Sequence, residues 1–254
     1  MFSLPAEVAT PSVSTAPPSR WAAGFQAFLV CGLPTQFLIA GALIVMGFWP
    51  FTGGRGLSGD LSLEFFAILS LADTALVAVL IRLFLGASGE HSHDVFFGSR
   101  SIKREALLGL ALLPVIFAGV VGIVVGLRAV APWLHNVQQS PLEAFMRTPF
   151  ESAIFAVVVV LAGGVREELQ RAFIIHRFGQ RLGGQYLGLA VFTLIFAVGH
   201  YDQGWDVSLA IGALGAFWGW LYIRRRSLVS SMVSHAGFNA AQVLQLVVAR
   251  SMGL

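Results

Sequence analysis

The sequence predicts an all-α fold, a multi-pass transmembrane helical bundle of about seven spans. Three observations lead there. Hydrophobic types make up 56% of the 254 residues and charged types only 11%, against about 25% charged in soluble domains. Mean hydropathy is +0.78. The apolar residues fall in blocks too long for strands, with no two-residue alternation. These values exclude a disordered chain, a collagen-like chain and an ordinary water-soluble enzyme. The one cysteine, Cys31, excludes an internal disulfide and any Cys-rich zinc or iron–sulfur site. The net charge of +3 reads as topology signals at helix ends, so no nucleic-acid partner is expected.

In chain order, residues 1–20 are rich in Pro, Ser, Thr and Ala and lack a basic start followed by an apolar core. They read as a flexible cytoplasmic tail, not a secretory signal. The apolar blocks place spans near 24–49, 62–85, 105–127, 150–176, 186–200, 206–223 and 228–249. The fifth is short for a full crossing. Pro141 to Arg147 reads as an interfacial helix. Residues 21–149 form N-terminal membrane helices, and 150–254 form the helical core that carries the chemistry. Gly204, Ser208, Gly212 and Ala216, with Gly215 and Gly219, form small-residue stripes that let helices approach closely, and Gly122 with Gly126 repeats the pattern.

Basic residues orient the chain. Arg20, Arg82, Arg100, Lys103, Arg104, Arg177, Arg181, Arg224, Arg225 and Arg226 fall at one set of helix ends. The alternate ends hold Arg55, Arg128, Arg147 and Arg250. The bias places the N-terminus in the cytoplasm and, with an odd number of spans, the C-terminus outside. An integral protein of a bacterial inner membrane is expected.

Polar groups inside the spans carry the chemistry, because an ionisable residue in a membrane is a functional hypothesis by default. Span four holds Arg166-Glu167-Glu168-Leu169-Gln170-Arg171. Each charge would cost roughly 2.5–3.5 kcal/mol at a bilayer centre, so these side chains must face partners or water. Glu167 and Glu168 stand four and three residues before Arg171, and all three can share a face. Gly163 and Gly164, a turn earlier, leave room for a close neighbour. Span five ends in Phe196-Ala197-Val198-Gly199-His200, and span seven carries Ser231, His235, Asn239 and Gln242 as a polar stripe. Each set alone also fits a bland role. The acids fit a packing salt bridge, His200 a satisfied interfacial residue, and the stripe polar glue worth about 0.6 kcal/mol per contact. All three in this order, each on its own late helix, are a stronger signal than any one.

That joint pattern resembles the CPBP family, the CAAX prenyl proteases and bacteriocin-processing enzymes, also called ABI. Its motifs look like Glu167-Glu168 with Arg171, Phe196 to His200, and His235 to Asn239, and the resemblance covers roughly 150–245. The family spaces its first motif Glu-Glu-x-x-x-Arg, whereas here one residue is missing. With the acids as anchor, Arg171 has moved back one place. With Arg171 as anchor, Arg166 takes the first acid's place. Either way a carboxylate stays in the site, with Glu167 the first choice of base and Glu168 the second.

The resemblance implies an intramembrane endopeptidase in which a glutamate and a histidine activate water. Hydrolysis needs such a base and donors aimed at the developing oxyanion. His200 is placed to relay the proton, and His235 and Asn239 to serve as donors. Cys31 is remote, and no third group orients a base for Ser231 or Ser234, so a serine or cysteine mechanism is not supported. Zinc held by two His and a Glu stays open as an alternative. No His-Glu-x-x-His stretch is present, and Arg171 would compete with a cation, so metal-free catalysis is favoured and no cofactor is expected. The expected partners are the lipid bilayer and a membrane-associated peptide or protein substrate, prenylated proteins included. A non-catalytic scaffold of the same fold and a proton-coupled transporter are the competing readings. Outside this core, Glu90-His91-Ser92-His93-Asp94 has the residue types to bind a metal ion but reads rather as a solvated cytoplasmic loop, and Asp73 and Glu64 read as isolated acids, with no partner for Asp73 named by the sequence. Trp133, Trp205, Trp218 and Trp220 read as interface anchors or packing.

Overall fold

The computed structural model describes residues 17–56 and 59–253. Most of the expected N-terminal tail, residues 1–16, lies outside them. The described residues are helical throughout, with a single isolated bridge between Phe51 and Leu61. The helices are α1 (Arg20–Val30), α2 (Leu33–Val45), α3 (Leu63–Ala87), α4 (Ser92–Phe96), α5 (Ile102–Val130), α6 (Pro149–Val158), α7 (Glu167–Arg181), α8 (Gln185–Val198), α9 (Trp205–Arg225) and α10 (Val229–Ser251). A π-helical segment, Val159–Arg166, joins α6 to α7 in one rod of 33 residues.

The expected helical membrane bundle is present, but the figure of seven spans is not matched. Among the described residues, four helices are long and apolar enough to cross a membrane: α3, α5, the α6–α7 rod and α9. Counting α1 and α2 as one bent span makes five. α8 has 14 residues, about 21 Å of helix, against a hydrocarbon core of about 30 Å. α10 is long enough, but its polar stripe keeps it below the same measure of apolarity.

The first expected span is broken. α1 and α2 meet at 47°, because Gly32 takes a left-handed conformation (φ 94°) and Pro34 follows in the first turn of α2. Only glycine adopts that backbone cheaply, and proline starts a helix well but cannot continue one. The α6–α7 rod begins with a capping box, Thr148 and Glu151 each bonding the other's backbone N–H, with Pro149 at the first helical position.

Contacts sort the helix ends into two groups. At one end, Arg181 donates to the Pro17 and Pro18 carbonyls, Arg100 to that of Arg225, and the Leu228 N–H to that of Phe96. At the other, Arg128 and His135 meet Asp206, Arg147 meets Asp60, and Arg250 donates to the Met146 carbonyl. Nine of the basic residues grouped by sequence lie at or beside the first end, with Arg82 in the last turns of α3 that lead to it.

Near the first end a dense apolar core joins Val77, Ile81, Leu85, Phe173, Ile175 and Leu228. The segment Pro141–Phe145 is a short 3-10 helix, partly exposed over Pro141–Ala144 and anchored by Phe145. Phe145 is 2% exposed, and its ring stacks on Phe66 and packs near Phe155. The α9 stripe packs as expected: a Cβ on Gly212 would sit 2.9 Å from Ala197 Cβ, and one on Gly215 would sit 2.7 Å from the Phe196 ring. Gly122 and Gly126 have nothing within 4 Å, so that pattern packs no helix within the described chain.

Candidate active site

The π-helical segment brings the polar groups of the α6–α7 rod to bear. Widening the turn re-aims the residues that follow it, and such segments recur at functional sites. Gly163 and Gly164 lie inside it, and α10 packs against them. A Cβ on Gly164 would fall 2.5 Å from Ala236 Cβ, and one on Gly163 would strike the Asn239 amide. The two glycines therefore set the distance between the acids of α7 and the polar stripe of α10. A neighbouring helix fills the space that the sequence left to a helix or a substrate.

Glu168 is the centre of the buried set. It is 1% exposed, and its Oε1 accepts from Arg171 and, at 2.9 Å, from His235 Nδ1. Arg171 has no exposure, and its guanidinium lies 5.1, 4.8 and 5.8 Å from the ring centres of Phe192, Phe196 and Trp218. A cation on aromatic faces is stabilised by about 2 kcal/mol when desolvated. His235 stacks on Trp218 with ring centres 3.8 Å apart. The Trp218 indole N–H in turn donates to Ser234 Oγ at 3.0 Å. Trp218 is thus more than general packing, since it fixes the plane of a site histidine.

Glu167 is placed differently. It is partly exposed and does not share Arg171, as one-face spacing suggested. Its nearest charged groups are Arg166, at 3.6 Å, and His235 Nε2, at 3.7 Å. Arg166 turns outward to bond Asp73 of α3 at 2.7 Å, and Gln36 of α2 reaches the same carboxylate oxygen at 3.3 Å. Asp73 therefore has the basic partner that the sequence did not name. Gln170 donates at 2.7 Å to the Val30 carbonyl, which the break between α1 and α2 leaves without a helical donor. Sequence reasoning missed Asp73, Gln36, Gln170 and Trp218 as parts of this region. Polarity inside an apolar block marks Asp73 and Arg166 alike, but nothing pairs the two across 93 residues.

His200 and Asn239 complete the set. His200 Nδ1 bonds the Phe196 carbonyl at 2.7 Å. The carbonyl can only accept, so Nδ1 carries the hydrogen and Nε2 of the neutral ring is a free acceptor. Asn239 donates to the Val159 carbonyl at 3.1 Å. Two cavities meet at Phe196 and His200. One, of about 320 Å³, is lined by Glu167, Gly163, Phe196 and His200. The other, of about 470 Å³, is lined by His200, His235, Asn239 and Gln242. Ser231 stays outside both and donates to the Leu228 carbonyl.

Among the described residues, no three His, Cys, Asp or Glu side chains gather as a metal-binding group. Glu168 Oε1 already accepts from Arg171 and His235, and a guanidinium on that oxygen repels a second cation.

The helical bundle thus gathers a carboxylate pair, an arginine and two histidines around two cavities. Residues 149–241 match the family model described as Rce1-like, type II CAAX prenyl endopeptidase Rce1-like. The match agrees with the resemblance to the CPBP family, covers less than half of the chain, and contains all six expected site residues. No curated protein and no solved structure matches the chain.

Proposed function

We propose that the chain is an intramembrane endopeptidase that cleaves a membrane-associated peptide or protein with a carboxylate–histidine pair and water. The observation that carries this reading is the division of labour between the two acids. Glu168 is 1% exposed and its Oε1 is engaged by Arg171 and His235, whereas Glu167 stands on a cavity wall with His200.

In this mechanism water enters the cavity beside Glu167 and His200. Glu167 takes one proton as the water oxygen attacks the scissile carbonyl carbon. The carbonyl π bond breaks, and the oxygen becomes an oxyanion. His235 faces Glu168 through Nδ1 and turns its Nε2 edge into the site, where it serves as a donor in the reaction. Asn239 has a second amide hydrogen besides the one given to Val159. These two donors stabilise the oxyanion. The intermediate then expels the amine, which collects the proton held by Glu167 and relayed through His200 Nε2. No step needs a metal ion. The basic residues gathered at one end support a cytoplasmic N-terminus.

The test is cleavage of a panel of membrane-tethered peptides, prenylated ones included, by the purified full-length chain in liposomes. Glu167→Ala and His200→Ala are expected to abolish turnover, and Asn239→Ala to slow it about 10²–10³-fold. Cleavage left unchanged in all three would overturn the proposal. A proton flux removed by Glu167→Ala, with no peptide cut, would instead favour the transporter.

A further inference from the structure

We infer that the crevice between the start of α5 and the end of α9 binds the phosphate headgroup of an anionic phospholipid. The crevice is independent of the hydrolase reading and shares no lining residue with the two site cavities.

Its wall is built from unbalanced charge. The guanidinium groups of Arg100, Arg104, Arg225 and Arg226 face one carboxylate, Glu105, around a space of about 610 Å³. Glu105 is already spent: both its oxygens accept from Arg225, and Arg100 comes no nearer than 3.9 Å. Arg100 gives its Nε to the Arg225 carbonyl. Among the described residues, the side chains of Arg104 and Arg226 take part in no hydrogen bond or ion pair. Like charges gathered this way repel one another, and an anion between them relieves the repulsion. Guanidinium forks match phosphate oxygens in pairs.

The backbone holds the arginines together and adds donors. Arg226 is the one non-glycine residue with a left-handed backbone among the described residues (φ 54°), at a helix end where glycine is usual. Gly98, before α5, also has positive φ, and a Cβ there would fall 2.5 Å from the Arg226 carbonyl. The two turns are thus pressed against each other. Ser101 stands at the N-cap of the 29-residue α5, but its side chain caps nothing. The first amide bonded within that helix is Glu105 N–H, to the Ser101 carbonyl. The N–H groups of Ile102, Lys103 and Arg104 stay unbonded at the positive end of the helix.

The setting selects a lipid. α5 and α9 are both long and apolar enough to cross the membrane, so their ends lie at headgroup level. Within two turns of Arg104, Leu107 and Leu110 are 56% and 52% exposed. An acyl chain can lie on them while its phosphate sits in the crevice. Inorganic phosphate makes only the second of these contacts. A headgroup that carries its own cation, such as phosphocholine, brings positive charge to the arginines.

The test is a titration of the full-length chain in neutral detergent with phosphatidylglycerol, read by native mass spectrometry. Arg104→Gln with Arg226→Gln is expected to weaken binding about 25-fold, or about fivefold for each arginine removed. Lys103→Gln with Arg224→Gln removes the same charge from the same end without touching the crevice wall, and is expected to leave binding nearly unchanged. Equal weakening by the two pairs would overturn the site in favour of general surface charge. Arg226→Gly keeps a backbone that glycine adopts readily and removes only the guanidinium. It is expected to lose about fivefold with no fall in melting temperature, and binding at full strength would overturn the assignment. Phosphatidylcholine bound as tightly as phosphatidylglycerol would overturn the anionic class. Inorganic phosphate that displaces the lipid at equal concentration would overturn the lipid as ligand.

Discussion

Two clusters in this chain are built from the same three residue types. In the bundle interior Glu168 meets Arg171 and His235. At the basic end Glu90, just past α3, meets Arg177 and His176 of α7. Neither arginine has any exposure. They differ in what remains unbonded. Arg177 donates to Gln26, Gln180 and the Phe84 carbonyl as well as to Glu90, and Gln180 also donates to Glu90. His176 turns Nε2 onto Glu90 itself. Every nitrogen of the Arg177 guanidinium is engaged, and the cluster is a clasp between α1, α3 and α7. Arg171 keeps Nε and one terminal nitrogen without a polar partner. His235 gives only Nδ1 to Glu168 and holds Nε2 near a second carboxylate at a cavity. The two groups therefore differ in the arginine, saturated in the clasp and part-bonded in the interior, and in the second carboxylate that lies 3.7 Å from the interior histidine.

The largest test of this difference is activity. Glu167→Gln removes the open carboxylate and is expected to lower the single-turnover cleavage rate by about 10²–10⁴. Glu90→Gln, in the clasp, is expected to leave that rate unchanged. Equal losses would erase the distinction. The next effect is on stability. Arg171→Ala leaves Glu168 buried with its main partner gone, at a cost of about 3–5 kcal/mol. Arg177→Ala is expected to cost less, because Glu90 keeps His176 and Gln180 and touches solvent, its side chain being 16% exposed. Denaturant unfolding in one detergent ranks the two. A third pair uses backbone room. Gly164→Ala drives a Cβ to 2.7 Å from Ala236 Cα, backbone that cannot swing aside, and overpacking of this kind costs about 1–3 kcal/mol. Gly179→Ala, next to the clasp, meets nothing closer than 3.8 Å. There the reduced freedom of the unfolded chain is expected to add about 0.4–1 kcal/mol.

The sequence held much of this, unevenly. The acids, both histidines and Asn239 were visible because each is polar inside an apolar block, and that signal is local. Their partners were not. Asp73 was conspicuous, but its link to Arg166 spans 93 residues and depends on how α3 lies against the π-helical segment. Which acid Arg171 holds was also hidden. An α-helical wheel allows either, and the wider turns of Val159–Arg166 shift the register from which α7 starts. The break in the first span was legible in Gly32-Leu33-Pro34 but masked by unbroken hydropathy around it. Glu90 was misread as part of a solvated loop, because its loop neighbours are exposed while its own carboxyl is turned onto α7.

The smallest effect is the pH response of the clasp. Burial pushes the Glu90 carboxyl up, but the hydrogen bonds and charges of His176 and Arg177 outweigh it and bring it down from 4.5 to about 2. A lowered acid contributes stability that is fully present above its unfolded value and is lost as pH falls through the folded one. The clasp is therefore expected to weaken between about pH 4.5 and 2. Other carboxylates titrate in the same range, so the readout is a difference: melting temperature against pH for the native chain minus that for Glu90→Gln. The native chain should hold an advantage at neutral pH that shrinks across this window. Solvent at the clasp screens the interaction and keeps the advantage modest. A difference that stays flat with pH would mean the Glu90 charge does not hold the α3–α7 contact. The clasp would then rest on the Gln26 and Phe84 bonds of Arg177, and its likeness to the Glu168 cluster would be one of composition alone.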